Sequence, residues 1–220
     1  MGRDPKRNPD LFKLLEEILE PDRRQLAYTF INPVSGQIRP RVLADHYTLI
    51  AGFTLVGTAP DKVRVHFETA RNLLLYAWFA YRFIPVAEMH AFATVEMALR
   101  LKLGYEESPR GPTLKGLLGE AINRGLICDE GFSHFHMLRE RRAEFRESMR
   151  GLTDLDDAEV GPTPLLYSRR IVENMPYFRN TFAHGSPMLM PHGYLWLGTC
   201  CDLINQICSD VPSPEHGPAP

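Results

Sequence analysis

Apolar residues recur along the chain at intervals that change from segment to segment, and the changes mark the elements. Leu11, Leu14, Leu15 and Ile18 fall at helical spacing, which predicts a short amphipathic helix over 9–19, stopped by Pro21. Leu26 to Ile31 and Gln37 to Arg39 flank Asn32-Pro33-Val34-Ser35-Gly36. Aromatic and β-branched residues around such a turn read as a small β-hairpin. Val42 to Val56 reads as a helix closed by Gly57 to Pro60.

The strongest helical signal lies at 61–103. Val63, Phe67, Ala70, Leu74, Ala77, Trp78 and Tyr81 form one stripe, and Pro85 divides the segment. The second half, Val86 to Leu103, is apolar on nearly every side, as expected of the central helix of a bundle; Gly104 ends it. Thr113 is an N-cap for a helix over Leu114 to Ile122, and a more charged helix follows from Phe132 to Met149. Beyond an acidic loop at 151–162, Thr163-Pro164 opens a helix that runs to His184 and ends at Gly185 and Pro187. A last helix spans His192 to Ser209. The proline-rich residues from 210 onward read as a disordered tail. The expected fold is therefore mainly all-α: an N-terminal part over 1–59 with the hairpin, a helical bundle over 60–209, and a tail.

Composition narrows the function classes. The formal net charge of −2 gives no global field toward nucleic acid, so any site for a polyanion must be a local cluster. Cys200, Cys201 and Cys208 lie within a helical apolar pattern with Leu197, Ile204 and Ile207, which suits small core residues better than zinc ligands. The longest apolar run, Leu73 to Tyr81, is about half the length of a membrane span. With no leader pattern at the N-terminus, the expectation is a cytoplasmic protein with no membrane partner. Neither a P-loop nor a Gly-x-Gly-x-x-Gly is present. No metal or other cofactor is expected.

Chemistry then falls to histidine, arginine and carboxylates, which concentrate at Arg179-Asn180-Thr181-Phe182-Ala183-His184. An Arg five residues before a His means little alone. With 8 His in the chain, about 0.7 such pairs arise at random, and Arg41 with His46 is one. The context adds information: Asn follows the Arg, Phe-Ala precedes the His, Gly follows it, and the segment closes a late helix. Residues 180 and 184 are one turn apart and share a face, so Asn180 can orient His184. Arg179 lies about 140° around the helix from His184, a separation easier to reconcile with a site completed by a second subunit.

This segment, set late in a chain with a long helical pair at 61–103, resembles the Arg-polar-x3-His motif of the HEPN superfamily. The resemblance covers roughly 60–209. It implies a helical bundle that often dimerises and, in its catalytic members, a metal-independent endoribonuclease. In that role Arg179 would stabilise the scissile phosphate, Asn180 would orient the imidazole, and His184 would move a proton to or from the ribose 2′-hydroxyl or the leaving 5′-oxygen. RNA as substrate, a homodimer, a toxin or antiviral defence role and an inhibitory protein partner belong to the same implication. The alternative is a catalytically inactive HEPN-like binding or scaffold module. His184 before Gly185 is also an ordinary helix end, and Arg179 can pair with the acidic residues of 154–159.

Glu96 sits on a helix lined by Phe92, Val95 and Leu99, and can reach Arg179 or His184 or pair with Arg100 one turn on. Arg139, Arg141, Arg142, Arg146 and Arg150, interleaved with Glu140, Glu144 and Glu147, read as a solvated helix more readily than as an RNA-binding stripe. His134 and His136 point apart on a helix and read as surface or capping residues.

Overall fold

The last carbonyls of a helix have no partner within it, and here residues distant in sequence supply one. The structure, a computed structural model, describes residues 8–32, 35–108, 111–149, 166–185 and 193–209. Two short strands, β1 (Thr29–Ile31) and β2 (Ile38–Pro40), pair antiparallel with Phe30 opposite Arg39. They are followed by α1 (Leu43–Ala51), α2 (Asp61–Tyr76), α3 (Phe83–Leu103), α4 (Leu114–Asn123), α5 (Ser133–Met149), α6 (Leu166–Ala183) and α7 (Gly193–Cys208). Mainly helical architecture with a small N-terminal hairpin is what the apolar spacing predicts. Among the described residues no helix is long and apolar enough to cross a membrane.

The central position expected for the second half of 61–103 is that of α3, which packs along α2 and α7 and also touches α4 and α6. Ala91, Phe92, Val95 and Leu99 on it are wholly buried. The break with α2 comes earlier than Pro85. Helix α2 ends at Tyr76, and Pro85 is the third residue of α3, where its missing N–H costs nothing because first-turn N–H groups have no helical acceptor. Instead the corner at 77–82 is set by tertiary bonds. His46 Nε2 lies 3.0 and 3.1 Å from the carbonyls of Leu74 and Leu75, Gln25 Nε2 donates to Ala77, and Asp22 accepts from the Tyr81 N–H.

Two other helices depart from their predicted bounds. The helix expected over 9–19 is a single 3-10 turn, Leu15–Glu17, and its leucines face outward. Short isolated helices are marginal, and this one finds no surface on its own bundle for its apolar stripe. The helix expected over 42–56 stops at Ala51. Arg71 caps the carbonyls of Ile50 and Ala51, and Asn205 on α7 binds the Val56 N–H and the Thr54 carbonyl, drawing 53–56 out of helical geometry. Gly104 and Gly185, with φ of 81° and 80°, close α3 and follow α6 as expected. Thr113 Oγ1 accepts from the Gly116 N–H at the start of α4. Cys200, Cys201 and Cys208 are buried in α7. The expected N-cap at Thr163-Pro164, the acidic loop at 151–162 with its alternative partners for Arg179, and the tail lie outside the described residues.

His46, whose pairing with Arg41 at Arg-x4-His spacing was a chance match to the motif, is wholly buried. Its Nε2–H faces two carbonyls, so Nδ1 is left to accept a hydrogen bond from the Tyr194 hydroxyl on α7. Arg41 stacks over the rings of Tyr28 and Tyr194 nearby. Glu88 on α3 is also buried, and neither carboxyl oxygen has a hydrogen-bond partner among the described residues. Burial alone pushes its carboxyl up to about 8.

Truncating Leu99→Ala should cost about 2–5 kcal/mol in denaturant unfolding, because the site is wholly enclosed and cannot collapse around the loss. Burial, followed by nearby Arg41, holds the His46 imidazole below its ordinary value of 6.5. The unfolded chain then takes up the proton first, and stability should fall as pH drops below about 6.5. His90 is shifted the same way by burial. Glu88 has the opposite sign: its folded carboxyl keeps its proton where the unfolded one has lost it, so stability should decline as pH rises from about 4.5 toward about 8. Thermal melts across pH should show His46→Phe flattening the acid limb and Glu88→Met flattening the alkaline one.

Candidate functional site

Helix α6 is placed by its two ends and one apolar stripe. Asp129, buried in the 3-10 turn Asp129–Gly131, accepts from the N–H groups of Tyr167 and Ser168 at 3.1 and 2.8 Å, so the first turn of α6 is capped by another element. Ile171, Met175 and Phe182 are buried, and Phe178 packs against the core. Phe182 stacks on Phe92 of α3 with ring centroids 6.4 Å apart, and Phe178 meets Trp196 of α7 at 5.4 Å. These contacts put residues 179 and 180 on the rim where α6 crosses α3. Pro176 sits inside the helix, three residues before Arg179.

Arg179 lies between two acceptors. Its Nη1 donates to Asn180 Oδ1 at 3.3 Å, and its Nη2 is 3.5 Å from Glu96 Oε2. The other Glu96 oxygen takes Arg100 through both Nε and Nη2, at 3.2 and 3.1 Å, and Arg100 also donates to the Pro112 carbonyl. Both readings of Glu96 therefore hold together: it pairs along its own helix and reaches across to α6. The Arg179 side chain is 41% exposed against 19% for Glu96, and its contact is the longer of the two. Arg179 is thus positioned but loosely held.

Asn180 is exposed and turned toward Arg179, not His184. Its link to His184 is through the backbone, where the His184 N–H donates to the Asn180 carbonyl at 3.0 Å. His184 is exposed in the last turn, and among the described residues no hydrogen bond joins its imidazole to Arg179 or Asn180. One helical turn puts Asn180 and His184 on the same face, and in this structure the Asn180 amide oxygen meets the Arg179 guanidinium. Arg179 and Asn180 are brought together; His184 stands apart at the helix end.

Beside Glu96 lies an open cleft of about 310 Å³, lined by Ala93, Met97 and Leu101 and by Lys62, Glu96, Arg100 and Glu106. Lys62 is paired with Glu106 and Arg100 with Glu96; among the described residues Arg179, which shares Glu96 with Arg100, brings a third cation to this edge against two carboxylates. A phosphate oxygen approaching the rim can exchange with the long Glu96 contact and gain a second N–H from the same guanidinium.

The sequence did not flag the burial of Asp22, His46, Glu88 or Asp129. Glu88 falls one turn from Ile84 and from Phe92 on the inner stripe of α3, a spacing that marks a carboxylate facing the core. The burial of His46 had no local signal, since its partners Leu74 and Tyr194 are far along the chain. His136 Nε2 donates to the Glu130 carbonyl at 2.7 Å, a capping role as expected. No protein-family model, curated protein or solved structure matches this chain.

Proposed function

We propose that the chain is a metal-independent endoribonuclease, with Arg179 binding the scissile phosphate and His184 moving the proton. The observation that carries the reading is Arg179 itself, half-exposed on the α3–α6 rim, steadied by Asn180 and Glu96 and followed five residues later by an exposed histidine at the C-terminal end of the same helix. In the reaction the ribose 2′-oxygen attacks phosphorus as its proton is taken, the bond to the 5′-oxygen breaks, and that oxygen accepts a proton. Charge building on the phosphoryl oxygens is met by the guanidinium. The products are a 2′,3′-cyclic phosphate and a 5′-hydroxyl. The separation of His184 from Arg179 favours a site completed by a second protomer, and a toxin or antiviral effector restrained by a partner protein fits that activity.

The second reading, a binding module without catalysis, draws on the charge balance of the cleft, where Glu96 and Glu106 neutralise Arg100 and Lys62.

Purified protein should cleave single-stranded or looped RNA in excess EDTA and leave DNA intact, because DNA lacks the attacking hydroxyl. His184→Ala and Arg179→Ala should each lower the rate about 10²- to 10⁴-fold with folding retained. Asn180→Ala and Glu96→Gln should be milder, since both act by steadying Arg179. His46 cannot serve as a neutral control, being buried and bonded; His136→Ala on α5 serves instead and should leave the rate unchanged. Cleavage that EDTA abolishes, 3′-hydroxyl ends, or full activity in His184→Ala would each exclude this mechanism. No cleavage of any RNA by folded protein would favour the binding module.

A further inference from the structure

The polar groups of the cleft beside Glu96 differ in how firmly they are held. Arg100 gives Nε and Nη2 to Glu96 and also donates to the Pro112 carbonyl, so this pair is fixed along α3. The other pair joins Lys62 in the first turn of α2 to Glu106, three residues beyond the end of α3. Both of its side chains are about half-exposed, and an ion pair in contact with water contributes little. It opens to a ligand at small cost. Alongside the two pairs, Ala93, Met97 and Leu101 give the cleft an apolar lining.

Size and charge narrow what fits. At about 310 Å³ the cleft stands at the lower end of ligand pockets, with room for a single ring system. Its two cations are matched by two carboxylates, so a charged occupant would leave one charge unmatched and a neutral one would not. Arg179 at the adjoining rim is the third cation and suits an anion. Glu96 belongs to both places, touching Arg179 and lining the cleft. A neutral ring joined to a phosphate has the chemistry of a nucleotide.

We propose that the cleft takes a guanine base of the RNA strand, read on its Watson–Crick edge by Glu106 and Lys62. The strand rests on the endoribonuclease reading; the base preference rests on the cleft alone. When the Lys62–Glu106 pair parts, it offers two carboxylate oxygens side by side and an ammonium donor next to them. Guanine presents O6, N1–H and the 2-amino group in that order. N1–H and the 2-amino group donate to the two Glu106 oxygens, and O6 accepts from Lys62 Nζ. Adenine, cytosine and uracil have one donor group each on that edge, so none of them engages both oxygens. Met97 and Leu101 meet the face of the ring. Base-paired RNA has this edge occupied and is excluded, which restricts the site to single strands and loops.

Calorimetry of the full chain with the four nucleoside 3′-monophosphates should show the guanosine form binding about tenfold or more tighter than the others. Inosine 3′-monophosphate, which lacks the 2-amino group, should fall between, while the 7-deazaguanosine form, altered only on the Hoogsteen edge, should match guanosine. Glu106→Gln changes an exposed position, so it should keep the helical circular dichroism and lose the preference by weakening guanosine binding alone. Arg179→Ala should weaken all four nucleotides alike and preserve their ratio. In mixed-sequence single-stranded RNA, cuts should fall beside guanines, and in Glu106→Gln they should spread to the other bases. Equal binding of the four nucleotides, a preference that survives Glu106→Gln, or sensitivity to the 7-deaza change would overturn the proposal. Cuts indifferent to the neighbouring base would overturn it while leaving the nuclease in place. Guanine-selective binding that Glu106→Gln abolishes, without cleavage of any RNA, would uphold the cleft and reject the nuclease.

Discussion

Helix ends govern this fold. Each helix leaves unpaired N–H groups at one end and carbonyls at the other, and burying either without a partner costs about 1–3 kcal/mol per group. His46 and Gln25 meet the carbonyls at the end of α2, Arg71 those of α1, Asp129 the first N–H groups of α6, and Asp202 that of Ser133 at the start of α5. Every one of these bonds joins residues more than fifteen positions apart. The caps therefore do more than close helices: they fix where one helix sits relative to the next, and the corner between α2 and α3 exists because the N-terminal part reaches over it.

The same fact explains what the sequence disclosed. Helix identity was legible wherever apolar spacing and a nearby glycine or threonine agreed, as for α3 with Gly104 and α4 with Thr113. Boundaries failed where a distant side chain decided them. Pro85 was a poor guide because a proline in a first turn is tolerated, and Val56 left its helix for Asn205. The segment 9–19 had the spacing of a helix but not the burial that would make it one, and periodicity alone does not tell these apart. At the site, the contact of Glu96 with Arg179 was readable as one option of two, yet that both are realised needed the crossing of α3 and α6.

Glu96 also ties the site to the core. It leaves α3 between Val95 and Met97, within the most enclosed stretch of the molecule, so the carboxylate that steadies Arg179 has a rigid base. Asn180, by contrast, shares Arg179's own helix and moves with it. The guanidinium thus has one anchor that is fixed and one that travels.

Pro176 gives that distinction a mechanical meaning. Lacking an N–H, it removes one rung from the ladder of α6 just ahead of the turns that carry Arg179 and Asn180. Past that gap, the direction of the helix is set less by its own backbone than by Phe178 and Phe182 gripping Phe92 and Trp196. The aim of Arg179 is consequently written in aromatic packing: a change of ring size at Trp196, a residue on another helix, would swing the terminal turns like a pointer on a pivot.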